Sequence, residues 1–189
     1  MSVIGTVEAV PNRLKILWSV LREEGTKGID RDRLKSRITP NGLGAKDEDA
    51  SQASTSLFDE SLSEFIRCGF ARMEDKKLFL EAPGDTNFVD AVEGRLLALN
   101  VDIGDERGYL AGALAWFLTR RPTRPLAWGA APVEELRDDF GDDPSAFDIT
   151  NASRWQNFAY WARFLGFASF IEVSGQRMVV PDPRGTLGR

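Results

Sequence analysis

The sequence predicts a mainly α chain with small β-hairpin wings, an α+β fold, and three observations carry that prediction. Residues 151–167 are an aromatic-rich run with helical spacing, stopped at Gly166 and followed by two short strands around Ser174, Gly175 and Gln176. Earlier in the chain the same join recurs: Phe65 to Cys68 runs into Gly69-Phe70-Ala71, as Leu165 runs into Gly166-Phe167-Ala168. After the first copy, a charged turn from Glu74 to Lys77 separates Arg72-Met73 from Leu78-Phe79-Leu80. Each copy therefore places a helix before Gly-Phe-Ala and a hairpin after it. That is the last helix and wing of a winged helix-turn-helix, and its repetition predicts two such units in tandem, 1–83 and 84–189.

The first unit follows from local signals. Residues 1–10 read as an apolar leader, either a short strand or a frayed end. Pro11-Asn12 offers a helix start, and Leu14, Leu17, Trp18 and Leu21 make one apolar face of a helix ending near Gly25. Ile29 suits a short strand, and Asp30 suits the cap of a second helix, Arg31 to Arg37, with Leu34 inward. Residues 41–55 are small, polar and partly acidic and read as a loop, either a mobile insertion or a functional one. A third helix is expected from Ser56 to Cys68, with Phe58, Leu62, Phe65 and Ile66 inward.

The opposite face of that third helix carries Glu60, Ser63, Glu64 and Arg67. Carboxylates there would meet phosphates at a cost, so Glu60, Glu64 and Arg67 are assigned to a protein partner rather than to DNA.

Glu81 to Asp85 is a breaker cluster and marks the boundary between units. Phe88, Val89, Val92, Leu96, Leu97 and Leu99 predict a linking helix, and Asp105 to Arg120 a buried helix that opens on acids and closes on arginines. Arg120, Arg121 and Arg124 either compensate that helix end or meet phosphate. Pro132 opens a short helix to Phe140, with Val133, Leu136 and Phe140 inward. Asn151 then caps a helix from Ala152 to Phe167 whose inward face is Trp155, Phe158, Ala159, Ala162 and Leu165.

The other face of this helix holds no acid. Ser153, Gln156, Asn157 and Arg163, with Arg177 in the wing, are the groups that hydrogen-bond to base edges and phosphates, and they are the candidate DNA contacts. The competing reading of these polar side chains is a solvated helix face. Tyr160 and Phe164, at i and i+4 on the same side, belong either to a wider core or to a partner interface. The acids Asp138, Asp139, Asp142 and Asp143 carry no cation-loop spacing and read as a solvated turn. Gly104 and Gly108 match no phosphate loop.

Composition narrows the function. A chain of 189 residues, 42% hydrophobic and 28% charged, fits one large or two small globular domains. No apolar run reaches the roughly 18 residues that span a bilayer, and no basic-then-apolar leader opens the chain, so a cytoplasmic location is expected. Histidine is absent, which removes the commonest general base and metal ligand together. The single Cys68 leaves no internal disulfide and no multi-cysteine metal cluster. A non-enzymatic protein without cofactor or metal is expected. The formal charge of −5 argues against a protein that coats nucleic acid, and neither half is basic, with 13 basic against 14 acidic residues in 1–83 and 11 against 15 in 84–189.

The run Asn151, Trp155, Phe158, Trp161 and Leu165-Gly166-Phe167-Ala168, ending in Pro181-Asp182-Pro183, resembles the second winged-helix unit of DpdG-type proteins. The Leu14-to-Leu21 helix after its Pro11-Asn12 start is similar too. These proteins are accessory components of bacterial restriction systems that act with deazaguanine modification of DNA. The resemblance implies a defence protein working with a DNA-modification apparatus and more chain beyond Arg189; with the candidate contacts above, the partners expected are protein subunits of a larger complex and double-stranded DNA. In architecture alone the chain also resembles ScpB-like adaptors that bind a kleisin, which keeps open a protein–protein adaptor without DNA affinity.

Overall fold

The computed structural model describes residues 2–39, 48–82, 85–97, 108–141, 147–182 and 184, with the backbone alone for 48–54. Among them are seven α-helices and two three-stranded sheets, an α+β fold. The chain forms two compact units: Glu8–Arg95, and a second made of Met1–Val7 together with Leu96–Arg189. The first is thus an insertion within the second, whereas the sequence had suggested a simple division into 1–83 and 84–189.

In the inserted unit, α1 (Pro11–Glu24) starts on a proline, whose missing N–H costs nothing in a first turn. It buries Leu14, Leu17, Trp18 and Leu21, as the spacing predicts. A tight turn through Gly25–Lys27 leads to β1 (Ile29–Asp30), and the Asp30 carboxylate caps α2 (Arg31–Ile38) by accepting from the Arg33 N–H. Helix α3 spans Glu48–Arg67, so it begins eight positions before Ser56 and claims part of the expected loop; residues 41–47 lie outside the described residues. The hairpin β2 (Ala71–Glu74) and β3 (Lys77–Leu80) closes the unit, and β1 pairs with β3 through Ile29 and Leu78, giving the order β1-β3-β2. Helix α4 (Phe88–Leu96) follows. Trp18 stands at the centre of the core, edge-on to Phe65 at 6.5 Å and Phe70 at 6.0 Å, with Phe88 tilted at 5.6 Å.

The second unit repeats this order. Helix α5 (Tyr109–Leu118) leads through β4 (Leu126–Ala127) to α6 (Ala131–Phe140), α7 (Ala152–Phe164) and the hairpin β5 (Ala168–Val173) with β6 (Gln176–Pro181). Strand β4 pairs with β6, giving β4-β6-β5, the same arrangement as in the inserted unit. The Gly-Phe-Ala echo is geometrical as well as textual. Gly69 and Gly166 both adopt positive φ, +74° and +83°. Phe70 donates to the Phe65 carbonyl and accepts from the Glu81 N–H; Phe167 does the same with Ala162 and Asp182. Both hairpins turn through two positive-φ residues, Asp75-Lys76 and Ser174-Gly175, the turn that matches the twist of paired strands.

Several expectations are corrected. The leader is neither strand nor frayed end: Ser2, Val3 and Ile4 are buried, in a run of turns. Phe140 is exposed, although its ring meets that of Phe147 edge-on at 5.1 Å. The expected start of α5 at Asp105, the residues Gly104, Asp142, Asp143 and Pro183, and the end of the linking helix at Leu99 lie outside the described residues. No helix among the described residues is long and apolar enough to cross a membrane.

Candidate nucleic-acid interface

Helix α7 is the element from which the site is built. Asn151 caps it by accepting from the Arg154 N–H, and Trp155 locks it to β4 by donating its indole N–H to the Ala127 carbonyl at 2.9 Å. Phe117, Trp155 and Phe158 pack on one another beneath it, with ring centroids 5.4–6.2 Å apart.

The sequence placed Ser153, Gln156, Asn157 and Arg163 on one exposed face, and the structure separates them. Ser153 and Arg163 are exposed. Asn157 is 2% exposed, and its amide nitrogen lies within hydrogen-bond distance of the carbonyls of Val3 (2.6 Å), Thr6 (3.0 Å) and Ile4 (3.2 Å). It is therefore withdrawn from the DNA contacts: the N-terminal segment covers that side of α7 and widens its buried arc. Gln156 is half-buried and donates one amide N–H to the Trp128 carbonyl at 3.4 Å, which draws its side chain toward β4. Beside them, Arg154 pairs with Asp148, whose carboxylate also accepts from the N–H and hydroxyl of Ser2. None of these bonds is readable from helical periodicity.

What α7 does present is a cluster built with the hairpin. Cross-strand partners share a sheet face, so Phe170, Glu172 and Arg177 stand together on one face of β5 and β6. Tyr160 and Arg163, one helical turn apart on α7, meet them. Trp128, held by its N–H to the Arg177 carbonyl, completes the group. Trp128 lies edge-on to Phe170 at 5.1 Å and to Tyr160 at 5.3 Å. Arg163 stacks over the Phe170 ring at 4.8 Å and Arg177 over Trp128 at 5.0 Å. Tyr160, Arg163, Phe170, Ile171, Glu172 and Arg177 line an open groove of 480 Å³. Tyr160 remains 41% exposed. Neither Arg163 nor Arg177 forms an ion pair among the described residues.

The inserted unit makes the informative contrast. Its hairpin arginine, Arg72, also stacks on an aromatic ring, Phe79 at 5.1 Å, yet pairs with both Glu74 and Glu81. Those hydrogen bonds raise its pKa further above the ordinary arginine value. On α3, Glu60 and Arg67 are exposed, but Glu64 is only 3% exposed. It pairs with Arg67 and accepts from the Cys68 thiol at 3.4 Å, so it is a structural acid rather than part of a partner surface. Burial first, then the neighbouring Glu64 carboxylate, pushes the Cys68 thiol far above its usual range. Phe164, assigned with Tyr160 to a partner, is half-buried, edge-on to Trp161 at 6.2 Å.

A second basic notch lies at the end of α5, lined by Thr119, Arg120, Arg121, Arg124, Leu126 and Glu135. Arg120 is engaged there, stacked over Trp116 at 4.9 Å and paired with Asp139. Asp139 also accepts the Trp116 indole N–H at 2.7 Å, and that bond, with Arg120 beside it, holds its carboxyl below the usual carboxylate range.

The residues that the sequence reading missed are Trp128, Phe170, Ile171 and Glu172. Alternation along β5 and the lone Trp128 after β4 were the available signals, but a two-residue strand has no periodicity to read. Among the comparisons with known proteins, the family described as DpdG-like has a model that matches residues 1–187. No curated protein and no solved structure matches the chain.

Proposed function

The chain belongs to the DpdG-like family, and from that premise we propose that it is a non-enzymatic accessory subunit of a DNA-directed bacterial defence complex. The complex is one of the cytoplasmic restriction systems that act with deazaguanine modification of DNA. Each unit serves as a winged helix-turn-helix; the shared helix order and the sheet orders β1-β3-β2 and β4-β6-β5 support this reading. The second unit touches DNA, and the inserted unit docks a protein subunit through the exposed side of α3 at Glu60 and Arg67.

One observation carries the DNA contact: Arg163 and Arg177 line one groove and form no ion pair among the described residues, while the hairpin arginine of the inserted unit pairs with two carboxylates. Unpaired guanidiniums already held by aromatic rings meet phosphate oxygens with little loss of side-chain freedom. Base-edge reading by Gln156 and Asn157 is not part of the mechanism, because Asn157 is buried and Gln156, half-buried, points an amide N–H at the Trp128 carbonyl.

The test is fluorescence anisotropy of labelled DNA, duplex and single-stranded, titrated at low and moderate salt. The wild type should bind saturably, and Arg163→Glu/Arg177→Glu should weaken binding by at least about tenfold while flattening the salt dependence by nearly two phosphate contacts. Flat traces for every DNA at micromolar protein would remove the DNA contact. The protein–protein adaptor would then lead, with the exposed apolar side chains Ile171 and Val173 of β5, 40% and 48% exposed, as its contact.

A further inference from the structure

Resting on the reading that the second unit touches DNA, we propose that the groove between α7 and the β5–β6 hairpin holds an unpaired nucleotide of single-stranded DNA, and that Glu172 selects a base carrying an exocyclic amino group. The geometry is poorly suited to a duplex. A helix that reads the major groove needs free polar side chains along its outer face, and on α7 both amide side chains are engaged with backbone carbonyls. In their place two aromatic rings, Tyr160 and Phe170, and two arginines line one open groove, with Trp128 packed against both rings. Aromatic rings and guanidinium planes are the surfaces on which unstacked bases pack, and neighbouring cations take the phosphates. Tyr160 offers the exposed ring. Arg163 and Arg177 each offer a guanidinium already stacked on its other side by Phe170 or Trp128.

Glu172 gives the site a polarity. It stands opposite Arg177 across the hairpin and lines the groove, yet forms no ion pair with it. A carboxylate is an acceptor only. A base stacked in the groove with its edge toward Glu172 satisfies that carboxylate if it carries an amino group, as cytosine and adenine do. Thymine has no exocyclic amino group, and its one donor on that edge, the ring N3–H, is flanked by two carbonyl oxygens that repel the carboxylate. The groove volume of 480 Å³ accommodates a single nucleotide, and its openness lets the strand enter and leave.

The experiment is an anisotropy titration of the full chain with labelled dC, dA and dT homopolymers of equal length and a duplex of that length, at fixed salt. The cytosine and adenine strands should bind about tenfold more tightly than the thymine strand and the duplex. Tyr160→Ala, at a half-exposed position, should weaken dC binding about tenfold with the circular dichroism spectrum unchanged. Glu172→Gln, which adds a donor, should bring the thymine strand within about threefold of the cytosine strand. Duplex binding as tight as that of any single strand would overturn this proposal while leaving the DNA contact standing. Thymine binding equal to cytosine in the wild type would overturn it too. Absence of binding to every DNA would remove both readings together.

Discussion

The side-chain amide of Asn157 donates to the carbonyl of Val3 at 2.6 Å, joining residues separated by 154 positions in the chain. With Ile4 and Thr6 also within reach, one buried amide gathers three carbonyls of a segment that forms no helix or strand of its own. Backbone carbonyls buried without partners are costly, and Asn157 answers that need. Asn157→Ala should therefore lower stability by about 1–3 kcal/mol in urea denaturation. Asn157→Asp should lower it more, because a carboxylate cannot donate to carbonyls. The N-terminal segment should become cleavable in limited proteolysis of both variants. An unchanged urea midpoint would show that the segment is held by Val3 and Ile4 packing alone.

Cys68 predicts an alkaline weakness. Its thiol is buried against Glu64, so its pKa in the folded protein lies well above the usual value of about 9. Above pH 9 the unfolded chain releases the thiol proton while the folded one keeps it, so stability falls as pH rises, by at most about 1.4 kcal/mol per unit. Below pH 9 the group is neutral in both states and contributes no slope. Urea midpoints measured from pH 8 to pH 10.5 should fall in the wild type and fall less in Cys68→Ala. The native thiol should also resist alkylation until the chain unfolds.

Gly112 and Phe147 predict a compensating pair. A Cβ at Gly112 would lie 2.4 Å from Cε1 of the Phe147 ring, so the ring packs directly on the backbone of α5. Gly112→Ala should destabilise by about 1–3 kcal/mol through that overlap, although alanine is the better helix former. In a Phe147→Ala background the same change should be neutral or stabilising. A double-mutant cycle by thermal denaturation reads the coupling, and additivity would refute the contact.

Asp139 predicts an acid limb. Its carboxyl is held below the ordinary carboxylate range, by the Trp116 indole above all and by Arg120 beside it. The stability it contributes is fully present above the ordinary carboxylate pKa and is lost as pH falls through the lowered folded value. Asp139→Asn keeps an acceptor for the indole and removes the charge, so its urea midpoint should depend less on pH between 5 and 3 than the wild type's. Equal slopes would show that Asp139 plays no part in the acid limb.

The hairpins, the two Gly-Phe-Ala joins and the apolar faces of α1 and α7 were legible in the sequence because each rests on residues close together in the chain. Gly166 ends a helix and Ser174-Gly175 turns a hairpin whatever lies elsewhere. The candidate site was legible only in part. Arg163 and Arg177 stood out by their charge, whereas Tyr160 read as part of a wider core or a partner interface rather than of a DNA contact. Asn157 and Glu64 were misplaced because the exposure of a helix face depends on what covers it, and here the cover is Val3 and Ile4 in one case and α3's own packing in the other. A pair of buried apolar residues in a leader with no periodicity was the available warning. Trp128 escaped notice for another reason: β4 is two residues long and takes its place only by pairing with β6.

The insertion of Glu8–Arg95 into the second unit sets an order of events on the ribosome. Residues 2–7 emerge early, but Asp148 and Asn157, which bind them, are made only after the whole inserted unit has been synthesised. That unit can close its own core around Trp18 while the rest of the chain is still being translated. The second unit cannot complete the contacts of its opening residues until α7 has been made. Among the described residues, those made earliest are among the last to find their native partners.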